Sequence, residues 1–252
     1  MAMVASRRAH GDHVSTRWVL LLTLAGCKPL VVPTCEEPEG TACFRGVFKT
    51  LLGAPVEDVK VCAPELSDVP CTRTDENGGW KLPRLPPDTN VIVTATHPDM
   101  VPSLFAQNTS RSWYEWYKVA VPPDLAEKNA ERMGLANRSD RGNVLFLAWE
   151  GLNIDGVDTP NVKDVTAELR GGGTLFYGNT LTLADPDLTA TSGSGSGGVV
   201  NAPPGTIELK LKADAGRCAE DPMFHFDVVD GWIPVPVWEG WNTAMDVICP
   251  VR

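Results

Sequence analysis

The sequence predicts an all-β chain of two tandem sandwiches joined by a linker with one short helix. Three observations lead there. Thr74 to Ala95, TDENGGWKLPRLPPDTNVIVTA, reads as a tight turn, a short strand, a Pro-rich corner and a longer strand of β-formers. The same grammar returns from Ser194 as SGSGGVVNAPPGT, followed by Ile207-Glu208-Leu209-Lys210-Leu211. The third observation is spacing, because two copies of about a hundred residues each match small sandwiches rather than solenoid repeats.

Each element has its own reason. Asp75, Asn77, Gly78 and Gly79 supply the capped and positive-φ positions of a hairpin turn. Trp80 and Leu82 start a strand that Pro83 is expected to end, since proline cannot donate to a ladder. Upstream, Val56-Glu-Asp-Val59 matches Val162-Lys-Asp-Val165, after Pro55 and Pro160 respectively. Gly46-Val47 and Gly142-Asn143-Val144 are each expected to open an apolar strand. Val59, Val61 and Ala63 alternate, as do Val165, Ala167 and Leu169, and Ile207, Leu209 and Leu211. Val144-Leu-Phe-Leu-Ala-Trp149 reads as a buried strand, and Val228–Val237 and Met245–Ile248 as the last ones. Asp124–Met133 has helix formers with an acid at its start and Arg132 near its end. Asn137–Gly142 is expected to be the flexible point, and Gly171–Gly173 and Ser192–Gly198 flexible turns.

The ordered elements G-x-V, V-x-D-V, T-D-E-N-G-G-W and L-P-P-D resemble the carboxypeptidase regulatory-like family. The likeness covers Phe44–Val121 and, more divergently, Gly142–Val251, where GSGSGG replaces DENGG. The resemblance implies a transthyretin-like, seven-stranded sandwich in each copy. It also implies an accessory or structural role, because the family takes its name from a non-catalytic domain appended to peptidases. Some related sandwiches carry Lys–Asn isopeptide cross-links, for which the sequence names no matched pair. The expected layout is a signal segment over 1–26, a tether over 27–42, sandwiches over 43–121 and 142–252, and a helix-containing linker over 122–141.

Arg7, Arg8 and Arg17 precede the apolar run Trp18–Leu24, which is too short to span a bilayer. Leu24-Ala25-Gly26-Cys27 then resembles the bacterial lipobox, which makes Cys27 the acylation site and implies lipid anchoring at the cell envelope. An ordinary signal peptide cut near Ala25 is the competing reading. Without the first 26 residues, 19 basic and 31 acidic residues remain, a net charge of −12. That balance argues against nucleic acid and against polybasic adhesion to lipid.

Six cysteines follow Cys27, an even number that in an exported chain reads as disulfides. Six allow fifteen pairings; neighbour pairing, Cys35–Cys43, Cys62–Cys71 and Cys218–Cys249, is the simplest. A metal site lacks both a C-x-x-C pair and clustered histidines.

Little else suggests chemistry. Only His97 and His225 lie beyond the signal segment, and neither stands in the H-x-x-E of a zinc carboxypeptidase. No nucleophile elbow, P-loop or dinucleotide fingerprint is present. Asp155, Asp158, Asp164, Asp185 and Asp187 fit no calcium loop and read as turn caps. No cofactor is expected. The tryptophans open an alternative: Trp232, Trp238 and Trp241 could stack on sugar rings, as could one of Trp113 and Trp116, or all could fill cores and the joint. The sequence therefore implies a non-enzymatic, lipid-anchored interaction or scaffold module whose partner is the membrane through Cys27 and an envelope protein or polysaccharide. A carbohydrate-binding lipoprotein is the second reading.

Overall fold

The structure, a computed structural model, describes residues 33–35, 39–111, 115–151, 160–220 and 228–250, without the side chains of 111, 115–117, 219 and 220. Cys27, Trp113, Asp155, Asp158 and His225 lie outside the described residues, as does the side chain of Trp116.

Among the described residues the first half contains seven strands: β1 (Ala42–Lys49), β2 (Lys60–Cys62), β3 (Thr72–Arg73), β4 (Gly79–Leu85), β5 (Asn90–Thr96), β6 (Ser103–Asn108) and β7 (Glu115–Val119). β1 runs between β4, antiparallel, and β7, parallel; the facing layer has the order β3-β2-β5-β6. Phe44, Phe48, Trp80, Leu82 and Val61 are buried between the layers. The alternation read from Val59, Val61 and Ala63 is thus one inward face, all three being buried.

A helix, α1 (Leu125–Arg132), leads into the second half. There follow β8 (Gly142–Trp149), β9 (Thr166–Arg170), β10 (Thr174–Gly178), β11 (Ala184–Asp185), β12 (Ser196–Ala202), β13 (Gly205–Ala213), β14 (Gly216–Arg217), β15 (Ala219–Glu220), β16 (Ile233–Val237) and β17 (Asn242–Ile248). This is more than seven strands. The chain between β9 and β12 is longer than its counterpart between β2 and β4, and the added β10–β11 hairpin extends the β12-β8-β17 layer. The other layer has β13 between β9 and β16, with the short β14 also on β13. Pro234 and Pro236 leave no N–H to donate at two positions of the edge strand β16, which blunts it against further pairing.

The repeat is written in hydrogen bonds. The Val59 N–H donates to Thr74 Oγ1 at 2.9 Å, and that hydroxyl donates to the Val56 carbonyl at 2.7 Å. In the second half the Val165 N–H donates to Thr191 Oγ1 at 2.9 Å, and that hydroxyl donates to the Val162 carbonyl at 2.9 Å. Asp58 and Asp164, the acids of the two V-x-D-V motifs, both have positive φ, 65° and 61°. An Asp tolerates that conformation better than a branched residue would.

Four expectations need correction. Pro83 does not end its strand: β4 runs through it, because the β1–β4 register shifts between Ala42 and Phe44 and a bulge absorbs the proline. Arg84 and Asn201 mark equivalent bulges, with φ of 59° and 55°. Gly46 does not open a strand but lies inside β1, opposite Trp80, and its counterpart is Phe146, opposite Gly197. Gly197 and Gly198 are buried strand residues rather than a flexible turn. A Cβ on Gly197 would stand 2.4 Å from Phe146 Cζ, and one on Gly198 2.8 Å from the Phe176 ring. The linker end is tied down rather than free: Asn201 accepts from the Arg138 N–H at 3.0 Å and donates to the Ala136 carbonyl at 2.9 Å, while the Gly240 N–H donates to the Arg141 carbonyl at 3.0 Å.

The three disulfides are Cys35–Cys43, Cys62–Cys71 and Cys218–Cys249, with Cα separations of 6.1, 4.3 and 4.1 Å. The first holds the tether to β1, the second closes the β2–β3 loop, and the third ties the β14–β15 segment to the end of β17.

Candidate functional site

An apolar cleft lies where the two halves meet. β17 builds it. This last strand is parallel to β8 over Asn242–Ile248, and its first two residues are also parallel to β6, with Asn242 opposite Ser103 and Thr243 opposite Leu104. One ladder therefore runs from the second half into the first.

β8 shows why the sequence folds this way. Its run of apolar residues has Val144, Phe146 and Ala148 buried in the second core, while Leu145, Leu147 and Trp149 are half-buried on the opposite face. A strand covered on both faces needs such a run; a one-sided strand would alternate with polar residues. The covering elements are α1, which packs with Val101 and Val121 near Leu145, and the ends of β1 and β7. α1 is fastened by a side chain that imitates a neighbouring strand. Asn129 donates to the Thr182 carbonyl and accepts from the Ala184 N–H, both at 2.9 Å, and Arg132 donates to the Ala184 carbonyl at 2.8 Å.

Between these elements a cleft of about 500 Å³ remains. Phe105, Val121, Leu147 and Met245 wall it, and Leu51 and Leu181 reach it from loops. At its polar end Lys118 Nζ of β7 lies 3.2 Å from Asp246 Oδ2 of β17, with side-chain exposures of 10% and 27%. The Trp149 indole N–H donates to the other carboxylate oxygen at 2.9 Å. Lys118 also stands 5.0 Å from the centre of the Phe105 ring, a cation–π distance. Lys118 comes from the first half and Asp246 from the second, so the pair bridges them. An apolar pocket with a few fixed polar groups has the character of a binding site. Its ion pair, whose carboxylate is engaged on both oxygens, holds two surfaces together.

The sequence-proposed residues fall elsewhere. Trp232 is buried, with the Arg170 guanidinium 3.8 Å from its ring centre and Lys210 Nζ 5.4 Å away. Trp238 and Trp241 are half-buried and meet edge to face, 5.3 Å between centres at 73°. Trp232 precedes β16 and Trp238 follows it, six residues on, which is about 20 Å of extended strand. The three rings do not make one flat face. His97 caps its own turn, accepting at Nδ1 from the Asp99 N–H at 3.1 Å. Asp185 caps likewise: one oxygen accepts from the Asp187 N–H at 3.1 Å, the other from Asn179 Nδ2 at 3.0 Å. Among the described residues no three His, Cys, Asp or Glu side chains gather as a metal would require.

Among the described residues two groups titrate away from their ordinary values. Burial pushes the Tyr177 hydroxyl up, against the opposing effect of the Ala167 N–H that donates to it at 2.8 Å. The hydrogen bond from Arg138 holds the exposed Asp140 carboxyl below its usual value.

Sequence reasoning missed the Lys118–Asp246 pair. The two residues are 128 positions apart, and neither stands in a motif. The available signal was the two-sided apolar run of β8, which announces a covering partner without naming it.

No protein-family model and no curated protein matches the chain. Among solved structures it is similar to the minor pilin of the Gram-positive pathogen Streptococcus agalactiae, at 15% identity and a TM-score of 0.27 over 84% of this chain and 97% of that one. A streptococcal ancillary pilin gives 12% and 0.25 over 86% and 65%. A shaft pilin of Lactobacillus rhamnosus GG gives 9% and 0.23 over 84% and 98%.

Proposed function

We propose that this chain is a non-catalytic interaction or structural module of the bacterial cell envelope, tethered to a membrane through acylated Cys27, with an envelope protein or polysaccharide as its partner. The observation that supports it most is the joint. Two sandwiches that share the β17 ladder, the Lys118–Asp246 pair and the docked α1 present their surfaces at a fixed spacing. A scaffold requires fixed spacing, whereas two independently swinging domains would lose it. His97 is engaged in its turn, and the acidity of the chain disfavours nucleic acid. Among the described residues no helix is long and apolar enough to cross a membrane; in this reading the acyl chains make the attachment.

The test is acylation. The natural chain, expressed in a bacterium with its own leader, is expected to incorporate labelled palmitate and to fractionate with membranes. Cys27→Ser is expected to abolish the label. Label that persists in Cys27→Ser would refute the anchor.

A further inference from the structure

The Thr50–Gly53 turn presents two leucines to solvent. Leu52 is 97% exposed and Leu51 40%, and Leu181, which lines the joint cleft with Leu51, is 41% exposed. The turn is well built: the Gly53 N–H donates to the Thr50 carbonyl at 2.9 Å, the Thr50 N–H to the Ala54 carbonyl at 2.7 Å, and the Ala54 N–H to Thr50 Oγ1 at 3.1 Å. The leucines are therefore carried on a fixed support. A lone exposed leucine needs no explanation, but a nearly bare one at a loop tip, beside two more at the mouth of an apolar cleft, makes a patch.

The path of the tether says what covers it. Cys35 is bonded to Cys43, and two residues earlier the Pro33 carbonyl accepts from the Arg45 guanidinium at 3.1 Å. Going back from Cys35 to Pro33 thus moves along β1 from Cys43 towards Arg45. That direction leads to the Lys49 end of β1, where the leucine turn stands. Four residues of strand from Arg45 to Lys49 cover about 13 Å. The six residues from Pro33 back to Cys27 can reach about 20 Å. The described tether at Pro33 therefore runs towards the end of the first half that carries the leucine tip, and the chain length back to Cys27 is enough to span the remaining distance.

We propose that Leu51 and Leu52, with Leu181 beside them, form a second contact with the lipid surface to which Cys27 is tethered. Insertion of this tip would fix how the module stands on the membrane, where a tether alone leaves it free to tumble. The inference rests on the anchored reading for its biological setting, but the contact itself does not need the acyl chains.

The test uses the Cys27→Ser chain freed of its signal segment, residues 27–252, with zwitterionic phosphatidylcholine vesicles, read by co-flotation. The unacylated chain is expected to partition measurably onto the vesicles. Replacing both leucines, Leu51→Ser with Leu52→Ser, should weaken partitioning at least tenfold, since burying one leucine side chain is worth about that factor or more. The melting temperature should stay unchanged, the tip being outside the core. Leu52→Trp should retain binding, and its added fluorescence should shift to the blue when vesicles are present. Absence of partitioning by the Cys27→Ser chain would overturn the proposal. So would partitioning that survives the double serine variant. Sedimentation showing that the leucines support a dimer, lost in the serine variant, would assign the patch to a second copy and likewise overturn it. Palmitate label surviving in Cys27→Ser with leucine-dependent flotation intact would remove the anchor but leave the lipid contact.

Discussion

Trp80→Ala is expected to lower the stability of the chain by about 3–5 kcal/mol, the cost of truncating a buried Trp or Phe. The ring is buried between the layers of the first half, 6.1 Å from the centre of Phe48, and it stands opposite Gly46. The second half fills the same place from the other strand, with Phe146 on β8 and Gly197 on β12. Large and small have changed sides while the pair keeps one ring. That exchange makes a second outcome specific. Gly197→Phe, entered alone, should cost about 1–3 kcal/mol or more by overpacking, because even its Cβ would press on the Phe146 ring. Adding Phe146→Gly to the same chain should recover part of the loss. Urea denaturation followed by tryptophan fluorescence gives all the values. A double variant worse than Gly197→Phe would mean that the two positions do not share one space.

Asp246→Ala should cost about 3 kcal/mol, near the lower end for breaking a buried ion pair, because Asp246 keeps some contact with water. The change removes the carboxylate that the nearly sealed Lys118 ammonium meets across the joint and leaves the Trp149 N–H without this acceptor. Asp246→Asn should cost less than alanine, since an amide oxygen can still accept from the indole. Exchanging both partners for apolar residues, Lys118→Met with Asp246→Leu, should return close to the natural stability. If that double change were as costly as Asp246→Ala, the cost would lie in packing rather than in the lost ion pair.

Much of this fold was legible, and the reasons can be given residue by residue. The V-x-D-V motifs were visible because each is four consecutive residues with its aspartate at the turn, whereas the threonines that serve them stand 18 and 29 positions from the carbonyls they bond and were not read. The alternation of Ile207, Leu209 and Leu211 gave an inward face directly. The helix was expected over Asp124–Met133 and lies over Leu125–Arg132. Bulges were not legible, since Pro83 reads as a strand end unless the partner strand is known to shift register. The glycines of β12 read as a flexible turn because their purpose, room for Phe146 and Phe176, is set by strands far away in sequence. The site suffered most from this. Trp232, Trp238 and Trp241 drew attention by type alone, whereas the residues that join the halves are an ordinary lysine and an ordinary aspartate.

The central claim is that the two halves are coupled through β17 into one body. Differential scanning calorimetry of the natural chain, disulfides intact, tests it most directly when run beside Asp246→Ala. The account predicts one cooperative transition for the natural chain, with calorimetric and van't Hoff enthalpies equal. In Asp246→Ala that transition should move to lower temperature as a whole or begin to split. Two separate transitions in the natural chain, with only the second half's moved by Asp246→Ala, would contradict it.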